Sequence, residues 1–161
     1  MAELKPAILY KDEIIRRMKE YSYSDDMLNY TGWLGSSTPN ITAEPDAGTY
    51  QYAIVDGDRL IGYFTYEVDW YSSCARCFGL FSFERSNSAV GIAVYRELRK
   101  LINDYHIHRI EWRMVGGNPV ERHYDRFCRR YNGRKFVLPD AIKDSAGKYH
   151  DDVIYEIVFG R

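Results

Sequence analysis

The sequence predicts one α/β (α+β) domain in which a mixed, mostly antiparallel sheet is flanked by helices, and three observations carry that prediction. Three strand-like runs follow one another over residues 50–83, the first two joined by a tight-turn signal. A helix of clear 3.6-residue periodicity then separates them from a further strand, and such a strand–helix–strand unit implies a parallel pair with a right-handed crossover. At 161 residues the chain fits a single domain burying roughly 70% of its unfolded surface, so the core needs neither disulfide nor metal.

Each element has its own signal. Ile14, Ile15, Met18 and Tyr21 recur at helical spacing among charged residues, and Asp25 can cap a second brief turn through Tyr30. Residues 31–48, rich in Gly, Ser, Thr and Pro, read as one long loop, so residues 1–49 form helices and a loop ahead of a core at 50–159. Strands are expected at 50–55 and 59–70, a hairpin around Asp56-Gly57-Asp58, and at 75–83, which is rich in aromatic residues. Val90, Val94, Leu98, Leu101 and Tyr105 form a helical stripe, with Arg96, Glu97, Arg99, Lys100 and Asp104 off it. Residues 109–115 read as a strand ending at Gly116-Gly117. Pro119 is placed at the first position of another helix, which presents Val120, Tyr124, Phe127 and Tyr131 on one face and stops at Asn132-Gly133. Strands at 135–138 and 153–159, joined by a loop through 144–152, complete the chain.

Charge and cysteine usage narrow the function. A net charge of −1 argues against a protein that coats nucleic acid by bulk charge. Three cysteines make no disulfide framework and fit a reducing, cytoplasmic setting. The N-terminal MAELKPAILYKDE lacks the apolar region of a signal peptide, and no segment reaches bilayer-spanning length, so no membrane association is expected. Fifteen tyrosines, seven phenylalanines and three tryptophans suit a core and the wall of a half-wet cleft equally well.

The turn into the central helix reads Ser88-Ala89-Val90-Gly91-Ile92-Ala93. A helix N-terminus presents unpaired N–H groups and the positive end of its dipole, and small residues there let a pyrophosphate approach the backbone. Gly91 reads equally as a close-packing glycine. With the element order over residues 50–159, this turn resembles the GNAT N-acetyltransferases, whose Q/R-x-x-G-x-G/A motif joins the fourth strand to the third helix. Gly91 and Ala93 match that motif, while Ser88 replaces Gln or Arg and keeps a hydroxyl donor. Asn118, between a strand and a helix, and Tyr124-Asp125-Arg126-Phe127 resemble the family's N-x-x-A-x-x-L-Y-E-x-x-G-F pattern. Here Asn118 to Tyr124 is one residue shorter than the family spacing, and the final Gly-Phe is displaced to Gly133 and Phe136.

The resemblance implies acetyl-CoA as cofactor. Ser88, Val90, Gly91 and Ala93 would hold its pyrophosphate. Phe81, Ser82 and Phe83, on a strand splayed from its neighbour, would pair with pantetheine, and Asn118 would add a contact. It further implies direct acyl transfer to an amine, with an oxyanion donor from a backbone N–H near Ser82 or Phe83 and Tyr124 protonating the departing thiolate. Tyr124 also lies on its helix's apolar face and reads equally as a core tyrosine. Glu67 and Glu84 are the candidate bases, although each also reads as a solvated rim charge. Glu67 and Asp69 share one face of their strand and, with Glu44 and Asp46, hint at a cationic acceptor.

The expected function is therefore an acetyl-CoA-dependent N-acetyltransferase whose amine acceptor the sequence does not specify. Ser88 and the shortened spacing leave open a CoA-binding or regulatory module without catalysis. A stripe of Arg122, Arg126 and Arg129, with Arg130, Arg134 and Lys135 nearby, leaves open a nucleic-acid-binding accessory domain. Glu121 and Asp125 interleave with that stripe, which favours a solvated face with intrahelical pairs. Cys74-x-x-Cys77 lacks a second half, and nothing brings His106, His108 and His150 together, so no metal is expected.

Overall fold

A computed structural model describes residues 1–22 and 38–160. The Asp25 turn, the side chain of Tyr21 and residues 31–37 of the expected loop lie outside the described residues. Among the described residues, strands β1 (Glu3–Pro6), β2 (Thr49–Asp56), β3 (Arg59–Asp69), β4 (Cys74–Ser82), β5 (Arg109–Val115), β6 (Arg134–Lys143) and β7 (Tyr149–Val158) form one sheet. Its order is β1-β2-β3-β4-β5-β7-β6. Helices α1 (Lys11–Ser22), α2 (Ser88–Asn103) and α3 (Glu121–Arg130) accompany it. All neighbouring strands are antiparallel except β4 and β5, the parallel pair expected on either side of the central helix.

Side-chain alternation along the strands builds two cores, one on each face. On β3, Phe64, Tyr66 and Val68 join Phe78, Trp112, Tyr155 and the α2 residues Val90, Ala93 and Leu101. Tyr63 points the other way and joins Phe81, Phe83 and the α1 residues Ile14 and Met18. The β2–β3 hairpin closes where expected, Asp56 opposite Arg59, with Gly57 at φ +61° as the tight turn requires.

Several elements differ from expectation for local reasons. β1 has no sequence signal, because four residues with a charge at each of two positions carry no readable period. Glu97 lies off the aliphatic stripe yet is 6% exposed: its carboxylate accepts the Tyr66 hydroxyl at 2.8 Å and pairs with Lys100 at 3.0 Å. Tyr105, expected in the stripe, lies beyond the end of α2 and is exposed. α3 begins at Glu121, two residues after Pro119. Glu121 and Asp125 turn their carboxylates to Lys135 of β6, at 2.7 and 2.8 Å, in place of the expected intrahelical arginine pairs. The long loop expected between the last two strands shrinks to residues 144–148, because Asp144 accepts hydrogen bonds from the backbone of Ala146 and Lys148 and closes a turn. No described helix is long and apolar enough to cross a membrane.

Candidate functional site

The sheet opens between β4 and β5. These strands pair only at their N-terminal ends, Cys74 with Arg109 and Ala75 with Ile110. The cause lies on the other side of β4. Thr65 faces Gly79 but Glu67 faces Arg76, so Tyr66 opposes two residues and Cys77 takes φ +55°. A bulge of this kind bends its strand and strengthens its twist, which turns β4 away from β5. The gap widens toward the C-terminal ends of the two strands, the end at which open sheets with parallel strands bind ligands. Both helices that follow these strands, α2 after β4 and α3 after β5, begin at that end and direct their positive dipole ends toward it.

The backbone of β4 divides its donors between two sides. Phe83 donates its N–H to Ile61 O at 2.9 Å, and the register from Gly62–Ser82 to Thr65–Gly79 is continuous. Hydrogen-bonded and non-hydrogen-bonded pairs alternate in an antiparallel ladder, so Phe81 also faces β3 while Leu80 and Ser82 turn their N–H groups to the gap. Of the two positions expected to supply an oxyanion donor, Phe83 is thus committed to the sheet and Ser82 is directed to the gap. The Phe81 and Phe83 rings do not line the gap. They are buried beneath α1, 5.7 Å apart, with Arg17 over Phe83.

At the mouth, Asn87 caps α2: its side-chain oxygen accepts from Ala89 N at 2.9 Å and its carbonyl from Val90 N at 3.3 Å. Glu84 receives the Asn87 amide at 2.8 Å and pairs with Arg59 at 3.1 Å, which commits its carboxylate to holding this turn. Ser88 is the first residue of α2. Gly91 is exposed, and a Cβ placed on it would meet no atom within 4 Å. The close-packing reading of this glycine therefore fails, and the open surface it leaves adjoins the helix N-terminus. Val90 and Ala93 are buried at 3% each and contribute packing, with only backbone near the turn.

Across the gap, Asn118 follows β5 and is 5% exposed. Its side-chain oxygen accepts from Val120 N at 3.0 Å, while its amide nitrogen is buried without a partner among the described residues, as is the indole nitrogen of Trp112 on β5. A buried donor left unmade costs about 1–3 kcal/mol, so two of them on and just after one strand are conspicuous. Tyr124 of α3 packs its ring edge-on against Trp112, at 5.9 Å, and against Tyr155. It is half-buried, and Trp112 ties it to the strand that bounds the gap. Nearby, Asp125 accepts from the Tyr155 hydroxyl and from Lys135. Lys135 holds the Asp125 carboxyl below its ordinary range, while burial followed by Asp125 pushes the Tyr155 hydroxyl up. This cluster joins residues far apart in sequence and had no local signal.

The two candidate bases are not brought together. Glu67 sits opposite Arg76 at the closed end of the gap, whereas Glu84 lies beyond Ser82 at the open end, roughly 20 Å further along the strand. Glu67 is exposed and lines a cavity of about 510 Å³ with Asp46, Asp69, Trp70 and Arg76. Asp69 is partly engaged by the Ser72 hydroxyl and the backbone of Tyr71. Cys77 adjoins Glu67; burial and then that carboxylate push its thiol up, away from the thiolate a redox or metal role needs. No group of residues suited to a metal ion occurs among the described residues.

A seven-stranded sheet split between β4 and β5, with two helix N-termini at the mouth, has the fold of the GNAT acetyltransferases. The spermidine/spermine N-acetyltransferase SpeG of Vibrio cholerae superposes with a TM-score of 0.63 at 14% identity, covering 98% of this chain and 91% of that one. A chimera of that enzyme with hSSAT gives a TM-score of 0.65 at 15% identity, covering 98% and 94%. A protein from T. thermophilus assigned as an acetyltransferase gives 0.62 at 18%, covering 98% and 85%. No protein-family model and no curated protein matches the sequence.

Proposed function

We propose that this chain is an acetyl-CoA-dependent N-acetyltransferase acting on a cationic amine. The observation that carries the reading is the split sheet with an exposed, unpacked Gly91 at the helix N-terminus on one side and the unpartnered Asn118 amide on the other. The residues fit the cofactor: Ser88 and Gly91 offer a small-residue surface at a positive helix end, and Asn118 holds a buried amide donor that has no partner among the described residues. Val90 and Ala93 set the backbone of that turn. Acetyl-CoA would supply a thioester-activated acyl group.

The chain's own residues do the rest. The N–H groups of Leu80 and Ser82, directed into the gap, present donors to an acyl oxygen held there. The Tyr124 hydroxyl supplies a proton to the leaving sulfur. Glu67, paired with Arg76 at 3.9 Å and roughly 10 Å along the strands from Leu80, takes the amine's proton through intervening water, and Asp46 and Asp69 attract a cationic acceptor to the acidic cavity. That cavity and the spermidine acetyltransferases among the structural neighbours support the choice of a polyamine-like substrate. Glu84, spent on Arg59 and Asn87, keeps a role in shaping the α2 turn.

One observation favours a second reading, a module that does not turn over acetyl-CoA. Asn87 already fills first-turn donors of α2, and Glu84 brings negative charge to the same mouth. The two readings separate in one experiment. Acetyl-CoA at about 100 times its dissociation constant adds roughly 2.7 kcal/mol, a melting shift of about 5–10 °C for a domain of this size. Free CoA should then appear when spermidine, diamines or lysine peptides are supplied. Absence of any melting shift at millimolar CoA would overturn the cofactor assignment, and a shift without turnover would favour the module.

A further inference from the structure

The sheet has two edges, and the fold treats them differently. β1 is four residues long and ends in Pro6, the short and proline-stopped strand with which proteins blunt an edge. β6 is ten residues long, with nine of them exposed. In its middle Phe136, Val137 and Leu138 are 45%, 46% and 46% exposed, three consecutive large apolar side chains on an edge whose outer backbone groups lack a strand partner among the described residues. Aqueous exposure of such a run is costly, and a monomer would be prone to pair through it.

The geometry points to a second copy of this chain as the occupant, paired β6 to β6 in antiparallel fashion about a two-fold axis at Val137. A strand pairs with itself across a two-fold axis only if its sequence is complementary to its own reverse, and this one is. With Val137 opposite Val137, Phe136 faces Leu138, Lys135 faces Pro139, and Arg134 faces Asp140. Phe136 and Leu138 share the sheet face of Ile154 and Asp152 through their β7 partners, so the four apolar side chains of the two copies meet on one face. At either end of that cluster Arg134, which pairs with Glu156 at 2.6 Å in its own chain, comes beside the carboxylate of Asp140, for which no ion pair occurs among the described residues. The axis cannot move far, because the β6–β7 register breaks after Leu138, where Asp140 takes φ +53°. Moving the axis one residue toward the C-terminus, to Leu138, sets Arg134 against Ile142 and Phe136 against Asp140 instead. A net charge of −1 adds little overall repulsion. The product is a continuous sheet of fourteen strands, twice the seven of one chain.

Light scattering coupled to size exclusion tests this on the full chain. A concentration-dependent dimer is expected. Val137→Lys sets two like charges against each other on the axis and should weaken dimerisation roughly 100-fold or more. Asp140→Asn keeps the residue's tolerance of positive φ, and so the fold, but removes the carboxylate that each Arg134 meets across the interface while its own-chain Glu156 remains; it should weaken the dimer about tenfold and flatten its salt dependence. A chain that stays monomeric at high micromolar concentration, or an oligomer that Val137→Lys leaves intact while folded by circular dichroism, would overturn the inference. Unchanged affinity and salt dependence in Asp140→Asn would overturn the register.

Discussion

Replacing Gly91 by alanine tests the cofactor site by setting two effects against each other. Position 91 lies near the start of α2, where glycine costs up to roughly 0.8–1 kcal/mol relative to alanine. The added Cβ meets nothing within 4 Å, so no clash offsets the gain. The unliganded variant should therefore be more stable by about 0.5–1 kcal/mol, raising its melting temperature by about 1–4 °C. If a pyrophosphate approaches the backbone here, the same methyl group stands in its way. An overpacking cost of about 1–3 kcal/mol then weakens acetyl-CoA binding roughly 5- to 150-fold. Scanning fluorimetry with and without acetyl-CoA, followed by titration calorimetry, reads both effects on one sample. Higher stability with an unchanged dissociation constant would refute the placement of the cofactor at Gly91. Lower stability would refute the open surface itself.

Four further outcomes are expected. Tyr124→Phe should slow CoA release roughly 10²–10⁴-fold in a thiol-detection assay while leaving cofactor affinity within a few-fold, because the ring and its packing on Trp112 remain. Gly133→Ala would place a Cβ 2.5 Å from Cys128 Sγ and 2.7 Å from Glu156 O, so urea unfolding should show a loss of about 1–3 kcal/mol. Tyr66→Phe removes the hydroxyl donor to the buried Glu97 and should cost about 1–3 kcal/mol by the same measurement. Acid should destabilise the fold. Lys135 holds Asp125 below its ordinary value, and at Glu156 burial pulls upward but Arg109 and Arg134 prevail. Depressed carboxylates stabilise above their unfolded-state values and lose that contribution as pH falls through the folded ones, so urea midpoints should drop between about pH 5 and 3, with a shallower drop in Lys135→Gln.

What the sequence revealed and what it withheld divide along the range of the interactions. The β2–β3 turn, the α2 and α3 helices and the parallel pair around α2 follow from spacing within a dozen or so residues, and all are present. Glu97 shows the limit: a charge flanked by Arg96 and Lys100 reads as solvated, and only the long-range approach of Tyr66 makes its burial possible. Lys135 likewise reads as part of a basic surface until β6 packs beside α3 and gives it Glu121 and Asp125. The Arg122, Arg126 and Arg129 stripe stays exposed, as its interleaved charges implied. Glu67 and Glu84 are close to neighbouring strand ends on paper, and only the register of the hairpin puts them at opposite ends of the gap.

The aromatic residues on and just after β4 are the most instructive. The resemblance gives Phe81 and Phe83 a place on the strand that would pair with pantetheine, and their rings anchor that strand beneath α1. That burial makes the rest of the site possible. A strand that abandons its neighbour after two residues needs another source of rigidity, and β4 obtains it from the β3 ladder on one edge and from side chains sunk in both cores. With Phe78 held on one face and Phe81 on the other, the strand cannot rotate about its own axis. The N–H groups of Leu80 and Ser82 then stay aimed across the gap, even though β5 has already diverged from the strand that carries them. Such preorganisation is what a donor to developing negative charge requires, since it spends nothing on orientation when charge appears. The sequence advertises the rings; in the proposed reaction the donors are the backbone groups beside them.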